Sequence, residues 1–330
     1  MGDIKILNEV ELRNLVKLDG EVVSCIENAF VALAAGNVEM PPILSMMIAE
    51  SNGEVDVKTA YVPGIDSYAI KMASGFFDNP KIGLPSASGL MILFSVKTGI
   101  PEALLLDNGY LTDVRTAAAG AVAAKHLSRE NSEIACIVGT GMQARLQLEA
   151  LMLVRPIKKA VIWGRDNDKA EKLATDLAAD YDIDACAEAD LKKAVSQADI
   201  VVTTTPSSRP LIMADWLKAG QHITAMGSDQ EHKCEVDPVC IANADLYVGD
   251  RMSQTEILGE LRSVIEAGLL QQIKRREELG SIVAGNVTGR RSDNEITIAD
   301  LTGTGIQDTA IATFVHKLAL ERGAGTLFKN

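Results

Sequence analysis

The chain lacks what a membrane protein, a nucleic-acid binder or a metalloenzyme would need. No apolar run approaches the roughly 20 residues that cross a bilayer. The opening Met1-Gly-Asp-Ile-Lys-Ile-Leu7 has neither the basic nor the apolar region of a secretory leader. Met1-Gly2 alone hints at an acylation signal, but Ile6 stands where that signal wants Ser or Thr. With 32 Lys and Arg against 45 Asp and Glu, the net charge of −13 argues against nucleic acid and anionic membrane surfaces as partners. A basic pocket can still sit in an acidic surface. The four histidines (His126, His222, His232, His316) lie far apart, and His232-Lys-Cys234-Glu235 is too irregular for zinc, so no metal is expected. Five cysteines, odd in number and without C-x-x-C spacing, fit reduced thiols in a cytoplasm; Cys136 lies in an apolar run and is read as core. No P-loop or nucleophile elbow occurs. The composition, 47% hydrophobic and 23% charged over 330 residues, describes a soluble globular chain with room for two domains.

The strongest positive signal is Ile134-Ala-Cys-Ile-Val-Gly139-Thr-Gly141-Met142-Gln143-Ala144. An apolar strand that ends in G-x-G-x-x-A and opens a helix is the dinucleotide-binding fingerprint. Gly139 permits the tight turn, Gly141 lets a pyrophosphate approach the backbone, and Ala144 keeps the helix close to its strand. Met142 and Gln143 then form the helix start, whose amide groups favour phosphate. An amphipathic helix (Arg145–Val154) and a second buried strand (Ala160–Trp163) supply the context that a chance Gly-rich turn would lack. After the second strand comes Trp163-Gly164-Arg165-Asp166. Arg165 suits the 2′-phosphate of NADP, whereas Asp166 suits the ribose of NAD or merely caps the next helix. NAD or NADP is expected, with the balance toward NADP.

From about residue 130 strands and helices alternate. Strand-like runs at Ile134–Val138, Ala160–Trp163, Ile200–Thr204, His222–Met226 and Leu246–Val248 are separated by helical segments such as Asp168–Asp180 and Ala189–Ser196. That order predicts βαβ units, a doubly wound parallel sheet and an α/β class. The earlier region is α+β: helices at Glu9–Lys17 and Glu21–Ala35, broken at Asp19-Gly20, precede strands at Val55–Tyr61, Tyr68–Met72 and Gly89–Ser95. Tyr110–Thr116, followed by an Ala-rich helix over Ala117–His126, reads as the joint. We therefore expect one domain over 1–122, a Rossmann domain over 123–306, and a helix over Gln307–Arg322 that returns to the first domain. The glycines of Asp300-Leu-Thr-Gly303-Thr-Gly305 are either a flexible loop or a backbone wall for a nicotinamide.

Several side chains are candidates for chemistry. Lys71 sits in the otherwise apolar strand Ala69–Ala73, where an unpaired charge is costly, so it needs either a substrate carboxylate or an internal one. Arg115 is read as opening the Ala-rich helix, where a cation opposes the dipole unless an anion is present. Period-two alternation puts Glu54, Asp56 and Lys58 on one strand face, a solvated polar face by base rate. Asp229, read as ending the strand His222–Asp229, is placed for general acid/base work or for closing an Asx turn. Two such cations beside a dinucleotide site suggest an anionic substrate.

Taken together, Lys71, Thr112-Asp-Val-Arg115-Thr116-Ala-Ala-Ala, Gly139-Thr-Gly-Met-Gln-Ala144, Gly227-Ser-Asp229 with Lys233 and Glu235, and the late Gly303 to Asp308 resemble the ornithine cyclodeaminase/μ-crystallin family over nearly the whole chain. Met40-Pro-Pro-Ile-Leu, Glu54-Val-Asp-Val-Lys-Thr-Ala-Tyr and Phe76-Phe-Asp-Asn-Pro look most similar to its ectoine-utilisation branch. The resemblance implies a substrate and dimerisation domain, a Rossmann domain and a homodimer. It also implies that Lys71 and Arg115 bind a substrate carboxylate, Thr116 touches the cofactor, Asp229 is the acid/base, and Glu54 lies near a distal amine. One departure is Ile43, which stands where the family usually has an arginine; Lys58 is a candidate replacement.

The expected activity is NAD(P)-dependent hydride transfer at the α-carbon of a small amino or imino acid. A second amine on the substrate would make it a cyclodeaminase; its absence would make it an imine (ketimine) reductase or amino-acid dehydrogenase. Two other classes stay open: a non-catalytic μ-crystallin-like NADPH-dependent binding protein, and a hydroxy-acid or sugar dehydrogenase sharing only the Rossmann half.

Overall fold

The structure, a computed structural model, describes residues 3–329; Met1, Gly2 and Asn330, and with them the Met-Gly signal, lie outside the described residues. In chain order the elements run β1 (Ile4–Asn8), α1 (Glu9–Leu15), α2 (Gly20–Ala34), β2 (Leu44–Ile48), β3 (Gly53–Ala60), β4 (Ser67–Phe76), β5 (Ala87–Ser95), β6 (Pro101–Leu106) and α3 (Tyr110–Leu127). They continue with β7 (Ile134–Val138), α4 (Met142–Met152), β8 (Lys159–Trp163), α5 (Asn167–Asp180), β9 (Asp184–Ala187), α6 (Leu191–Gln197), β10 (Ile200–Thr203), β11 (His222–Ala225), α7 (Pro238–Asn243) and β12 (Leu246–Gly249). The last are α8 (Met252–Thr255), α9 (Glu260–Glu266), β13 (Arg276–Glu278), α10 (Leu279–Val283), β14 (Thr297–Asp300), α11 (Gly305–Glu321) and β15 (Thr326–Phe328). The chain divides into two compact units, Met1–Arg115 with Thr304–Asn330, and Thr116–Gly303.

In the first unit a seven-stranded sheet has the order β15-β1-β6-β5-β4-β3-β2, antiparallel except for the β1–β6 pair. Asp19 starts α2 by accepting the Glu21 and Val22 amides at 2.9 and 3.0 Å. Val22, Ile26, Ala29, Phe30 and Leu33 then recur at helical spacing and are buried, which fixes the face α2 turns inward. Helix α11 lies against α2 and strands β3 and β4. Its Thr309 hydroxyl donates to the Ala60 carbonyl at 2.9 Å and accepts the Ala69 amide at 3.1 Å, pinning the helix to the β3–β4 pair.

Helix α3 begins at Tyr110, not at Ala117. The Asp107 carboxylate accepts the Leu111 amide at 2.8 Å, and left-handed Asn108 (φ 51°) and Gly109 (φ 90°) turn the chain into the helix. Arg115 therefore sits in the second turn, not at an N-terminus, and the helix dipole is not what it answers to.

In the second unit an eight-stranded, all-parallel sheet has the order β13-β12-β14-β11-β10-β7-β8-β9. Its central strands are buried on both faces, as their continuous apolar runs require. The direction of strand progression reverses between β7 and β10, the position where such sheets bind ligands. The Ala-rich part of α3 gives close approach: a Cβ on Gly120 would lie 2.0 Å from Gln147 Oε1 on α4. No helix among the described residues is long and apolar enough to cross a membrane.

Candidate active site

The reversal point carries a groove of about 460 Å³. It is walled by Gly139–Gly141 after β7, Trp163–Asp166 after β8 and Thr204–Arg209 after β10. Gly139 has φ 133°, and a Cβ there would meet Thr204 Oγ1 at 2.3 Å, so two loops come together only over a glycine. Gly141 opens α4 in extended backbone with no side chain capping the helix, an end that presents amides to a phosphate. Ala144 is buried, and exposed Met142 starts the helix. Gln147 Nε2 donates to the Thr116 carbonyl at 3.1 Å and to Gln143 Oε1 at 3.2 Å, joining two expected cofactor contacts. These residues fit a dinucleotide.

Asp166 caps α5 through the Lys169 amide at 3.3 Å, so its capping reading holds. Arg165, Lys169 and Arg209 bring three cations to the groove beside it. Gly303 is tied to its surroundings by hydrogen bonds on both sides. Its φ is 79°, its amide donates to Asp250 Oδ2 at 2.7 Å, its carbonyl accepts from Gln254 Nε2 at 2.9 Å, and the Thr302 hydroxyl donates to Asp250 Oδ1 at 3.0 Å.

Asp229 lies beyond the strand it was expected to end, since β11 stops at Ala225. The loop is held instead by Glu235. This fully buried carboxylate accepts the Thr203 hydroxyl (2.6 Å), the Thr205 amide (2.5 Å) and the Gly227 amide (2.8 Å). Burial raises its pKa while those donors work against the rise. Asp229, partly exposed, pairs with Lys233 Nζ at 2.7 Å.

Behind Glu235 lies a set of carboxyls that the sequence reading did not single out. Glu260 accepts the Glu235 amide at 2.7 Å, and Asp300 accepts the Tyr247 hydroxyl at 2.6 Å. Burial, with neighbouring carboxylates adding, pushes Glu260 up to about 8 and Asp300 to about 7. His222 is fully buried between the hydroxyls of Thr297 and Thr224 at 2.9 and 3.0 Å, and burial lowers its pKa to about 3, so it stays neutral. No group of His, Cys, Asp and Glu among the described residues has metal-site geometry.

In the first unit the strand register sets Lys58 directly opposite Lys71, with Asp56 opposite Ala73 and Glu54 opposite Gly75. That face is not solvated: Lys58 and Lys71 are buried, and α11 covers the strands. Lys71 Nζ lies 3.0 Å from Asp308 Oδ2, so its partner is the internal carboxylate. Asp308 Oδ1 lies 2.9 Å from Arg115 Nε, and Arg115 Nη1 donates to Gln307 Oε1 at 2.9 Å. Burial pulls Lys71 down to about 7, Arg115 and Lys58 add to the fall, and Asp308 opposes it. Burial works to raise Asp308, yet Arg115, Lys71 and Lys58 hold it below the usual carboxylate range. Asp56 accepts the Ser45 hydroxyl at 2.6 Å, and the half-buried Glu54 lies over Gly75. Two buried cations, Lys71 and Arg115, thus share the fully buried Asp308, and buried Lys58 adds positive charge to the same cluster.

Residues 3–323 match the ornithine cyclodeaminase/mu-crystallin family. The chain belongs to that family. It is 59% identical, over the full length of both chains, to an uncharacterised cyclodeaminase of Sinorhizobium fredii. An archaeal alanine dehydrogenase dimer with bound NAD superposes with a TM-score of 0.91 at 34% identity, covering 99% of each chain. The Δ1-pyrroline-2-carboxylate reductase of Thermococcus litoralis, solved with NADH and L-proline, superposes at 0.92 and 30% identity, covering 98% of this chain and 99% of that one. Family membership makes the α/β fold and the nicotinamide dinucleotide site those of a known group of enzymes.

Proposed function

We propose that this protein is an NAD(P)-dependent enzyme acting at the α-carbon of a small amino or imino acid. The observation that carries the reading is the buried pair of cations Lys71 and Arg115 on one carboxylate, with Lys58 buried beside them, in a chain that also folds a dinucleotide groove. Gly139, Gly141 and the first turn of α4 would hold the pyrophosphate, with Thr116, Gln143 and Gly303 as further contacts. The dinucleotide, when bound, supplies hydride exchange with the substrate. Lys71 and Arg115 bind the substrate carboxylate and orient the α-carbon. Lys58 adds positive charge where Ile43 replaces the family's arginine. Asp229, with Lys233 beside it, holds or moves the proton of the amine or of the attacking nucleophile.

A substrate with a second amine, steadied by Glu54, gives a cyclodeaminase: the distal nitrogen attacks the iminium carbon, ammonia leaves, and the ring keeps its α-hydrogen. The 59% identical relative named as a cyclodeaminase supports this arm, as does the likeness to the ectoine-utilisation branch. Ile43 and the reductase and dehydrogenase relatives support the second arm, simple reduction or oxidation without ring closure. Arg165, Lys169 and Arg209 in the groove favour NADP over NAD. The five unpaired cysteines fit work in a reducing cytoplasm. The exposed Leu44, Met46 and Met47 of edge strand β2, with the dimeric alanine dehydrogenase relative, support a homodimer.

Reduced-nicotinamide absorbance, followed with cyclic imino acids, 2-oxo acids plus ammonia, and diamino acids, tests the reading. Consumption with an imine, or ammonia release from a diamino acid without net cofactor change, is expected. Tight NAD(P)H binding with silence across the panel would overturn it.

A further inference from the structure

Asp308 and Gln307 were given no role by the sequence reading, yet they are the groups that hold the carboxylate-binding cations. Both are fully buried, in the first turn of α11. Asp308 divides its two oxygens, Oδ2 to Lys71 at 3.0 Å and Oδ1 to Arg115 Nε at 2.9 Å. Gln307 takes the next guanidinium nitrogen, Nη1, at 2.9 Å. The hydrogen bond at Nη1 and the ion-pair contact at Nε, which lacks hydrogen-bond geometry, both come from one turn of α11 and together restrain the guanidinium. The Thr309 hydroxyl, bonded to β3 and β4, fixes this turn of α11 against the strand that carries Lys71.

We propose that Asp308 and Gln307 are positioning residues for substrate-carboxylate capture: Asp308 sets the spacing and charge of Lys71 and Arg115, and Gln307 sets the direction of the guanidinium. The inference rests on the functional reading above. The groups facing Lys71 are Asp308 on α11, Arg115 on α3, Lys58 on β3 and, by longer-range charge, Asp107 before α3. Arg115 and Lys58 drive the Lys71 proton off and Asp308 retains it. Without Asp308 the ammonium is lost at lower pH, and with it the attraction for a carboxylate. The imino-acid KM therefore rises as pH climbs through the Lys71 titration, and removing Asp308 brings that rise to lower pH.

The test is the pH dependence of KM and kcat for the imino acid that the wild type reduces, with NAD(P)H affinity measured separately by nucleotide fluorescence. In Asp308→Asn the rise in KM is expected to begin at least one pH unit lower. KM at pH 8 should be roughly tenfold or more above wild type, with NAD(P)H affinity within twofold. Asp308→Glu keeps the charge but lengthens the arm, so KM is expected to rise with the pH profile unmoved; this variant carries the test if the Asn protein does not fold. Gln307→Ala is expected to raise KM at all pH values alike. An active wild type whose KM profile is superimposable on those of the variants overturns the role of Asp308 and Gln307 alone. A wild type that binds NAD(P)H but turns over no amino or imino acid overturns the functional reading, and this inference with it.

Discussion

Replacing Glu235 by Gln is an isosteric change that isolates one hydrogen bond. The native carboxylate meets three donors: Oε2 takes the Thr203 hydroxyl and the Gly227 amide, and Oε1 takes the Thr205 amide. A glutamine can keep its oxygen on the first two only by turning its NH2 toward the Thr205 N–H, so two donors face each other in a dry site. An unsatisfied buried donor costs about 1–3 kcal/mol. At roughly 2–4 °C per kcal/mol for domains of 150–250 residues, the melting temperature should fall by about 4–8 °C for a loss near 2 kcal/mol. Thr205 walls the nucleotide groove, so part of this strain should also appear in cofactor binding. A transfer of ~1 kcal/mol corresponds to about fivefold in Kd. Thermal and urea unfolding, with an NAD(P)H fluorescence titration, measure both. An unchanged urea midpoint together with an unchanged Kd would refute the claim that Glu235 fastens the two loops.

Arg115→Ala removes a charge-assisted partner worth roughly 1.5–3 kcal/mol, so the substrate KM should rise about 10- to 150-fold with cofactor affinity nearly intact; an unaltered KM in steady-state kinetics returns Arg115 to a structural role. Gly139→Ala puts a Cβ 2.3 Å from Thr204 Oγ1 at a φ of 133°, and calorimetric titration should detect no NAD(P)H binding. Arg165→Ala should weaken NADPH by tenfold or more and leave NADH nearly unaffected, as competition titration would reveal. Glu260 and Asp300 titrate near 8 and 7 when folded but near ordinary carboxylate values when unfolded, so the unfolded chain binds fewer protons between about pH 4 and 8. Stability should therefore fall as pH rises through that window, and Glu260→Gln should flatten the fall in a pH series of urea melts.

The Rossmann half was largely legible because its signals are local. Each central strand is a continuous apolar run, and Gly139 and Gly141 stand at the turn that only glycine permits. The first half was harder to read. Strand β6, opened by Pro101, lies between its hairpin partner β5 and β1, and the β1 pairing joins residues nearly one hundred apart. The start of α3 depends on Asp107 and two left-handed residues, which look like an ordinary turn before an alanine run.

Lys71 announced itself as a charge in an apolar strand, but its partner could not be read, because Asp308 reaches it only when α11 packs across β3 and β4. The same logic, applied to Asp308 among Ile306, Ala310 and Ile311, would have raised the question from the other side. Glu235 was visible only as part of a motif. Its three donors come from the ends of β10 and β11, which chain order keeps apart.

Isotope tracing of the α-hydrogen separates hydride transfer from proton abstraction. With a reactive amino acid deuterated at its α-carbon, hydride exchange predicts a primary isotope effect and deuterium carried to the nicotinamide. In a cyclodeaminase cycle that deuterium returns, so the cyclic product keeps its label. Loss of the deuterium to solvent, at a rate matching turnover, would mean proton abstraction at the α-carbon and would contradict the mechanism.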